Sequence, residues 1–502
     1  MFDWNTLLDE KALESVLPGK YARFARPVHD GLIVFLEGLP ASHQVEILAQ
    51  QAALPPSACI SERLAALARC CPVLHKLGQV LARDQRLAPQ LRQELRTLES
   101  LAPTVPKTVI YEIVTRELGP LEQVGIRLRW PAIAEASVAV VVPFVEPERD
   151  RGRQLRGGVL KILKPGIEER LGLELDLLGR VGVHLDERCK ALRIPAMDYE
   201  ELFQQIREKL SHEVKLDEEQ HHLAHAADSY ADEPHVQIPA VLEYCTPRIT
   251  AMERVTGCKV ADHRLDSLGE KQRLSELIVR SLISHPLFSL AGQAMFHSDP
   301  HAGNLFLTDE NRLAILDWSL VGSLGDEQRV TIVQILISAI TLDARRIVAI
   351  LKGLNEGGPL DPPALAAVVE TSLKRIRRGM VPGLSWLIAL LDEASQKARL
   401  RVAADLLLFR KSLHTLEGVI AEIGDGRVQI DDVLLVDFLG YLACELPRRW
   451  QAAPSSRAFA THLSNADLTL ALLDSPAAFA RFWTGKSLDL LDACSATGTL
   501  RA

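Results

Sequence analysis

The segment Phe296-His297-Ser298-Asp299-Pro300-His301-Ala302-Gly303-Asn304, with Asp317-Trp318-Ser319 after it, constrains this chain more than any other stretch. Between Asn304 and Asp317 lie two short apolar runs, Leu305-Phe306-Leu307 and Leu313-Ala314-Ile315-Leu316, around a polar turn at Asp309 to Asn311. That pattern predicts a β-hairpin. A hairpin sends the chain back on itself, so Asp299, Asn304 and Asp317 are expected in one cleft. Asn304 stands five residues after Asp299, and Asp317 eighteen after it. The H-x-D-x-x-x-x-N step is the one phosphotransferases use. One carboxylate sits near the acceptor oxygen, while an Asn and a second carboxylate hold Mg²⁺ on the phosphates, because hard cations take oxygen ligands. Two acidic residues and an Asn decorating turns would give the same letters, but the three together around a hairpin favour the site.

Composition sets the frame. A chain of 502 residues has room for two or three domains or one large bilobal unit, and 47% hydrophobic with 24% charged residues is ordinary for a folded protein. A formal net charge of -8 argues against a nucleic-acid-binding surface over the whole molecule, so nucleic acid is not an expected partner. None of the 8 cysteines forms a C-x-x-C pair, which favours reduced thiols in a cytosolic protein over zinc or redox sites. Cys70 and Cys71 read as small buried apolar residues. The start, Met1-Phe2-Asp3-Trp4, has neither a basic run nor an apolar segment, and stretches such as Val330 to Leu342 are too short or too interrupted to span a bilayer. The expectation is a soluble cytoplasmic protein with no transmembrane helix.

Residues 1 to 105 read as helices between Pro breaks, with periodic runs at Val45 to Ala53, Ser61 to Cys71 and Pro89 to Leu101. From Thr108 the texture turns to short β-branched runs: Ala136 to Phe144, Gly158 to Leu163, Val236 to Glu243 and Arg248 to Val255 read as strands of a small sheet. Helical patterns at Ile167 to Cys189 and Met197 to Tyr230 lie between them, and Glu148 to Gly158 suits an exposed turn. Beyond Gly257 the chain reads as helical apart from the hairpin. This is an α+β pattern with two lobes.

Lys161 lies in the apolar run Gly158-Val159-Leu160-Lys161-Ile162, where a buried ammonium needs a carboxylate or a phosphate beside it; an edge-strand lysine would give the same pattern. No G-x-G-x-x-G precedes it. Ala134-Glu135-Ala136-Ser137 stands there instead, a small-residue turn that lets backbone amides approach phosphate.

These segments, taken together, resemble the UbiB family, also called AarF-type atypical protein-kinase-like proteins. The family's F-H-x-D-P-H-x-G-N-L is matched by Phe296 to Leu305, its alanine-rich loop by Ala134 to Ser137, and its strand lysine with x-x-P-G-I by Lys161 to Ile167. Its K-x-G-Q is matched by Lys76-Leu77-Gly78-Gln79, its T-P-R strand and hinge by Thr246 to Glu253, and its L-E-G-V helix by Leu416 to Val419. The resemblance covers residues 70 to 425. It implies a bilobal protein-kinase-like fold with a helical N-terminal extension over the cleft and a helical C-terminal region. The corresponding divisions are 1–105 (extension), 106–255 (N-lobe), 256–425 (C-lobe) and 426–502 (tail). It also implies that Lys161 contacts the ATP phosphates and pairs with Glu219, that Asn304 and Asp317 hold Mg²⁺, and that Asp299 takes the catalytic position. Ala134, Ala136 and Ser137 would face phosphate, and Glu253 and Val255 would offer backbone groups to adenine. Lys76 would reach toward the nucleotide and obstruct a protein substrate.

The implied activity is ATP hydrolysis or phosphoryl transfer in support of quinone or isoprenoid-lipid metabolism. ATP and ADP, an isoprenoid lipid and quinone-pathway proteins are the implied partners, with peripheral contact at the inner membrane face. A small-molecule phosphotransferase of the aminoglycoside or choline kinase type, and a catalytically silent nucleotide- or lipid-binding scaffold, stay open as alternatives. Three departures stand out. The family's E-x-D is Glu213-Val214-Lys215 here, its R-x-D is inverted as Asp84-Gln85-Arg86, and its D-F-G is Asp317-Trp318-Ser319. His221, His222 and His225 favour an exposed polar helix face over a metal pair. Val433 to Leu446 with Arg448, Arg449 and Trp450 reads either as a core helix with a basic end or as an interfacial membrane helix.

Overall fold

The computed structural model describes residues 4–498 except 5–6, 18, 83–86, 100–103, 147–156, 193, 195–202, 205–206, 208–209, 263–266 and 425. The Asp84-Gln85-Arg86 inversion, most of the Glu148 to Gly158 turn and the start of the Met197 to Tyr230 helix therefore lie outside the described residues. In chain order the helices are α1 Glu10–Val16, α2 Ala25–Gly38, α3 Ala41–Ala52, α4 Ile60–Cys70, α5 Pro72–Leu81, α6 Pro89–Arg96, α7 Lys107–Leu118, α8 Leu121–Val124, α9 Ile167–Leu192, α10 Leu216–Ser229, α11 Leu268–Val279, α12 His285–Leu287, α13 Asp326–Ile340, α14 Ala344–Gly353, α15 Pro362–Arg377, α16 Leu384–Ala398, α17 Ala404–Gly424, α18 Ile430–Arg449 and α19 Asn465–Gly498. The strands are β1 Arg127–Leu128, β2 Ala134–Glu135, β3 Ala139–Val145, β4 Gly157–Leu163, β5 Val236–Gln237, β6 Ile249–Glu253, β7 Gly257–Lys259, β8 Gln293–His297, β9 Leu305–Thr308, β10 Leu313–Ile315 and β11 Val321–Gly325.

The chain divides into two compact units. The first comprises residues 1–231, 238–256 and 317–319. Its sheet runs β1-β3-β4-β6, with β2 also paired to β3, all antiparallel. One face of β3 and β4 is apolar because the helices cover it. Val140, Val142, Phe144, Leu160, Ile162 and Ala251 pack with Ile110, Val114 and Leu121 of α7 and α8. A second core joins the N-terminal helices to α9 through Phe35, Leu36, Ile47, Leu67 and Val73 against Leu171, Leu175, Leu178 and Val181. Cys70 and Cys71 are buried in that core, as the sequence suggests.

The second unit comprises residues 232–237, 257–316 and 320–502. It holds a four-stranded sheet in the order β5-β10-β9-β7 and the β8–β11 ribbon, with helices α11 to α19. Two of these helices are capped by local carboxylates: Asp343 accepts from the Arg346 N–H, and Asp361, before Pro362, accepts from the Ala364 N–H. α18 buries Ile430, Val433 and Leu434 while leaving Val436 and Leu439 exposed, as is Trp450 just beyond its end, so it is neither wholly core nor wholly surface. No helix among the described residues is long and apolar enough to cross a membrane.

Three sequence readings need correction. The stretch from Thr108 is a helix, α7, despite its β-branched residues: Ile110, Ile113 and Val114 recur at helical spacing and are buried, and Gly119 at φ 90 ends the helix. Val236 to Glu243 is not a full strand. Only β5 forms, pairing with β10 in the second unit's sheet, and Pro239, which has no N–H to donate, follows it closely. Finally, β7, β8 and β11 interrupt the stretch beyond Gly257 that reads as helical apart from the hairpin.

Candidate active site

In the first unit the site is built around one lysine. Lys161 stands opposite Val141 of β3 and Thr250 of β6, so β4 is an interior strand and the edge-strand alternative is excluded. Its Nζ lies 2.7 and 2.8 Å from Oε1 and Oε2 of Glu219 on α10, and 3.3 Å from Oδ1 of Asp317. The structure thus forms the Lys161–Glu219 pair that the resemblance implies and places Asp317 beside it. Burial alone would lower the Lys161 ammonium; the Asp317 and Glu219 carboxylates outweigh it and hold it above its ordinary value. Burial pushes the Glu219 carboxyl up to about 7 against the pull of Lys161, and Asp317 adds a second negative charge. One ammonium therefore serves two carboxylates, one fully buried at 3% exposure and one open at 34%.

Asp317 takes the left-handed conformation, φ 58, which Asp and Asn tolerate better than other side chains. The next residue anchors it. The Trp318 indole is fully buried, with its ring 6.1 Å from that of Tyr230. The Trp318 carbonyl accepts a hydrogen bond at 3.1 Å from Nδ1 of His222, and burial holds the His222 ring below its ordinary pKa. Sequence reading placed His222 on an exposed face. That holds for His221 and His225, whereas His222 is half-buried and holds the Asp317-Trp318 turn. The signal was its spacing: His222 is one helical turn after Glu219 on α10.

Lys76, on α5, pairs with Glu213 at 2.8 Å, and Glu213 in turn acts electrostatically on both Lys161 and Glu219. Lys215, which stands where the family has a carboxylate, pairs with Glu218 at 2.8 Å. Gly78 is required by packing: a Cβ there would come within 2.7 Å of Leu98 Cδ1 and 3.3 Å of Leu95 Cδ2, both in a buried cluster. Gln79 donates to the Leu98 carbonyl at 3.0 Å.

The start of α5 is held from far along the chain. Glu174 on α9, fully buried, accepts the Val73 N–H at 2.9 Å, satisfying one of the donors a helix N-terminus leaves free. Arg170, one turn earlier, lies 3.4 Å from Glu174 and 3.2 Å from Glu46, and donates to the Cys70 carbonyl. Burial pushes the Glu174 carboxyl up to about 7 from an ordinary 4.5. The folded state therefore binds this proton more tightly than the unfolded chain, and the Glu174 contribution to stability falls as pH rises from 4.5 to 7. Glu174→Gln keeps an acceptor for Val73 and removes the titration. The slope of unfolding free energy against pH in that window is expected to be shallower by about 1.4 kcal/mol per pH unit at most. Urea unfolding at a series of pH values checks it, and an unchanged slope would contradict it.

The small-residue turn is the β2–β3 hairpin. Ala134 and Ala136 are exposed and Ser137 is buried, and the Ala136 N–H is donated to the Ala139 carbonyl at 2.8 Å. Glu135, within it, was missed: it pairs with Lys164 at 2.7 Å and accepts from the backbone of Thr104 and Val105. Burial would raise the Glu135 carboxyl, and the bonds from Lys164 and Thr104 bring it below its ordinary value. Glu253 ends β6 with its N–H donated to the Ala240 carbonyl at 2.8 Å, and Val255 is half-buried just beyond.

In the second unit the loop after β8 is ordered by its histidines. Buried His297 accepts the Asp299 N–H on Nδ1 at 3.1 Å and bonds the Leu316 carbonyl through Nε2 at 3.0 Å, which sets the neutral tautomer. His301 Nδ1 accepts from the Gly303 N–H at 3.0 Å. Asn304 Nδ2 donates to the Asp299 carbonyl at 3.2 Å, so the step of five closes on itself. The hairpin forms as the spacing predicts, with Ile315 opposite Leu305 and the turn made by Asn311 at φ 59. The Leu316 N–H donates to the Asn304 carbonyl at 2.8 Å, and Asp317 is the next residue in the chain. Lys411, on α17, lies 3.4 Å from Asp299 Oδ1; nothing in the local sequence pointed to it.

The ABC1 atypical kinase-like domain matches residues 97–351. The chain belongs to the ABC1 atypical kinase-like family. The matched stretch contains Lys161, Glu219, Asp299, Asn304 and Asp317 and leaves Lys76 and Lys411 outside it. Among relatives, the chain is 27% identical over 310 residues to the Arabidopsis thaliana protein ACTIVITY OF BC1 COMPLEX KINASE 8, chloroplastic, an alignment covering 60% of this chain and 39% of that protein. It is 23% identical over 372 residues to the protein named "Probable protein kinase UbiB" from Pseudomonas paraeruginosa, covering 69% of this chain and 65% of that protein. The chain thus spans about two-fifths of the length of the plant relatives it matches. The solved Rv3197–erythromycin complex from Mycobacterium tuberculosis aligns over 82% of this chain and 96% of its own at 16% identity, with a TM-score of 0.47. The fold of an ABC1 chain is kinase-like, and its mixed helices and sheets are those described above.

Proposed function

We propose that this ABC1 family chain binds Mg²⁺-ATP and hydrolyses it or transfers its phosphoryl group, in support of quinone or isoprenoid-lipid metabolism. The observation that carries the reading is the Lys161–Glu219–Asp317 cluster, a half-buried lysine held by a buried carboxylate with a second, open carboxylate beside it. Such a lysine is pre-aimed for the α- and β-phosphates. The donors for a metal are oxygen atoms: the Asp317 carboxylate, which is partly open, and the Asn304 carboxamide, whose nitrogen is already committed to Asp299. That donor set fits Mg²⁺, which takes one or two protein oxygens and relies on substrate phosphates for the rest. When bound, the ion would neutralise phosphate charge.

The chain's own residues do the remaining work. Lys161 orients the phosphates, the small-residue hairpin at Ala134 to Ser137 lets them approach the backbone, and Val255 with Glu253 frames the adenine. Asp299 accepts the proton of the attacking hydroxyl or water. Lys76, tied to Glu213, guards the nucleotide against a protein substrate, which favours hydrolysis coupled to a lipid or protein partner. The resemblance to UbiB proteins supports the quinone or isoprenoid-lipid setting and a peripheral place at the inner membrane face. Phosphate release from ATP by the purified chain tests the reading. Turnover is expected to drop by on the order of 100-fold in Asp299→Ala, the scale of losing a general base. Release that persists undiminished in that variant would sink the assignment of Asp299.

A further inference from the structure

We propose that Lys411 is the cation that touches the transferred phosphoryl group, an inference that rests on the nucleotide reading above. Between Asp299 and Asn304 the loop reads Pro300-His301-Ala302-Gly303, with no lysine or arginine. The Nδ1 of His301 is turned back to its own loop, where it accepts the Gly303 N–H at 3.0 Å. Phosphoryl transfer nevertheless spreads negative charge over three oxygens close to the carboxylate at the catalytic position, and that carboxylate repels it. A cation is needed on this side, and α17 brings one.

Lys411 Nζ stands 3.4 Å from Asp299 Oδ1. Two contacts on the same helix fix its backbone against the end of β8, from which the loop leaves. The Phe409 ring meets Phe296 edge-on with centroids 5.2 Å apart, and the Ser412 hydroxyl donates to the His297 carbonyl at 2.9 Å. Phe409 and Ser412 are buried at 3% and 0% exposure, whereas the Lys411 and Asp299 side chains keep 39% and 36%. The lysine is thus carried on a fixed element and ends where a ligand can reach it. An ion pair this exposed adds little to stability, so folding alone gives no reason for the placement. In the transfer step a lone pair of the acceptor oxygen forms the new bond to the γ-phosphorus. The bond from that phosphorus to the β–γ bridging oxygen breaks, and its electron pair stays on ADP. The acceptor's proton passes to Asp299 and on to solvent, while Lys411 keeps its own protons and pairs with the phosphoryl oxygens throughout.

The test is calorimetric titration of Mg²⁺-ATP and Mg²⁺-ADP into the full chain and into Lys411→Met, Lys411→Arg, Asp299→Asn and the Asp299→Asn/Lys411→Met double variant. Lys411→Met is expected to weaken ATP about tenfold and leave ADP nearly unchanged, the size of a lost hydrogen bond to a charged group. Lys411→Arg should keep most of the ATP preference. The loss should persist in the Asp299→Asn background, because the contact is with the phosphoryl group. Equal weakening of both nucleotides, no weakening, or a loss that vanishes once Asp299 is neutral would each overturn the proposal. A wild-type chain that binds neither nucleotide would overturn this proposal and the nucleotide reading together. Ligand-free melting curves show that each variant is folded, and Lys411→Gln, which should show the same selective loss of ATP, carries the test if Lys411→Met is not.

Discussion

Lys161→Ala should cost about 3 kcal/mol of folding stability at pH 8, the scale of breaking a buried ion pair from one side. Glu219 is 3% exposed and would be left facing Asp317 with no ammonium between them. Its carboxyl, already pushed up to about 7 by burial with Lys161 present, would rise further. A carboxyl whose folded value lies above its unfolded 4.5 binds its proton more tightly in the folded state, so stability falls as pH rises through that window. Part of the loss in Lys161→Ala is therefore regained at pH 5.5, where Glu219 is protonated. Urea unfolding of wild type and variant at the two pH values reads both effects. Equal destabilisation at both would mean that Glu219 is not the stranded charge.

Asp317→Asn should leave the ligand-free protein close to wild type and remove its metal-dependent nucleotide binding. Asn tolerates the left-handed φ of 58 as well as Asp does, and Trp318, which holds the turn, is untouched. The ion pair that is lost, 3.3 Å with Asp317 34% exposed, is the longer and more open of the two that Lys161 makes, and solvent screens it. The carboxylate is a different matter for a hard cation. Its replacement by a neutral amide should weaken Mg²⁺-ATP binding at least about 100-fold, more than perturbing an outer-sphere partner would.

Much of this site was legible in the amino-acid sequence because its parts are local. The Asp299 to Asn304 step, the hairpin and Asp317 lie within nineteen consecutive residues, and a lysine in an apolar run announces a buried partner without naming it. Glu219 was reached through resemblance, since the pairing with Lys161 spans 58 residues. Other parts leave no local trace. Ser412 meets His297 across 115 residues, and Glu174 caps α5 from 101 residues away, distances at which no period or spacing carries information. His222 shows a subtler limit: the helix pattern gave its spacing from Glu219, but which face of α10 is covered is decided by the Asp317-Trp318 turn. α7 went unread for a related reason. Its β-branched residues favour strand, and packing of Ile110, Ile113 and Val114 decides for helix.

A Mg²⁺-ATP site built on Lys161, Glu219 and Asp317 has a direct check: titrating ATP into the full chain with Mg²⁺, with EDTA, and with Mg²⁺ in Asp317→Asn. Binding is expected in the first case and should be lost in the other two. Equal affinity in all three, or no binding in the first, would mean that these residues do not form such a site.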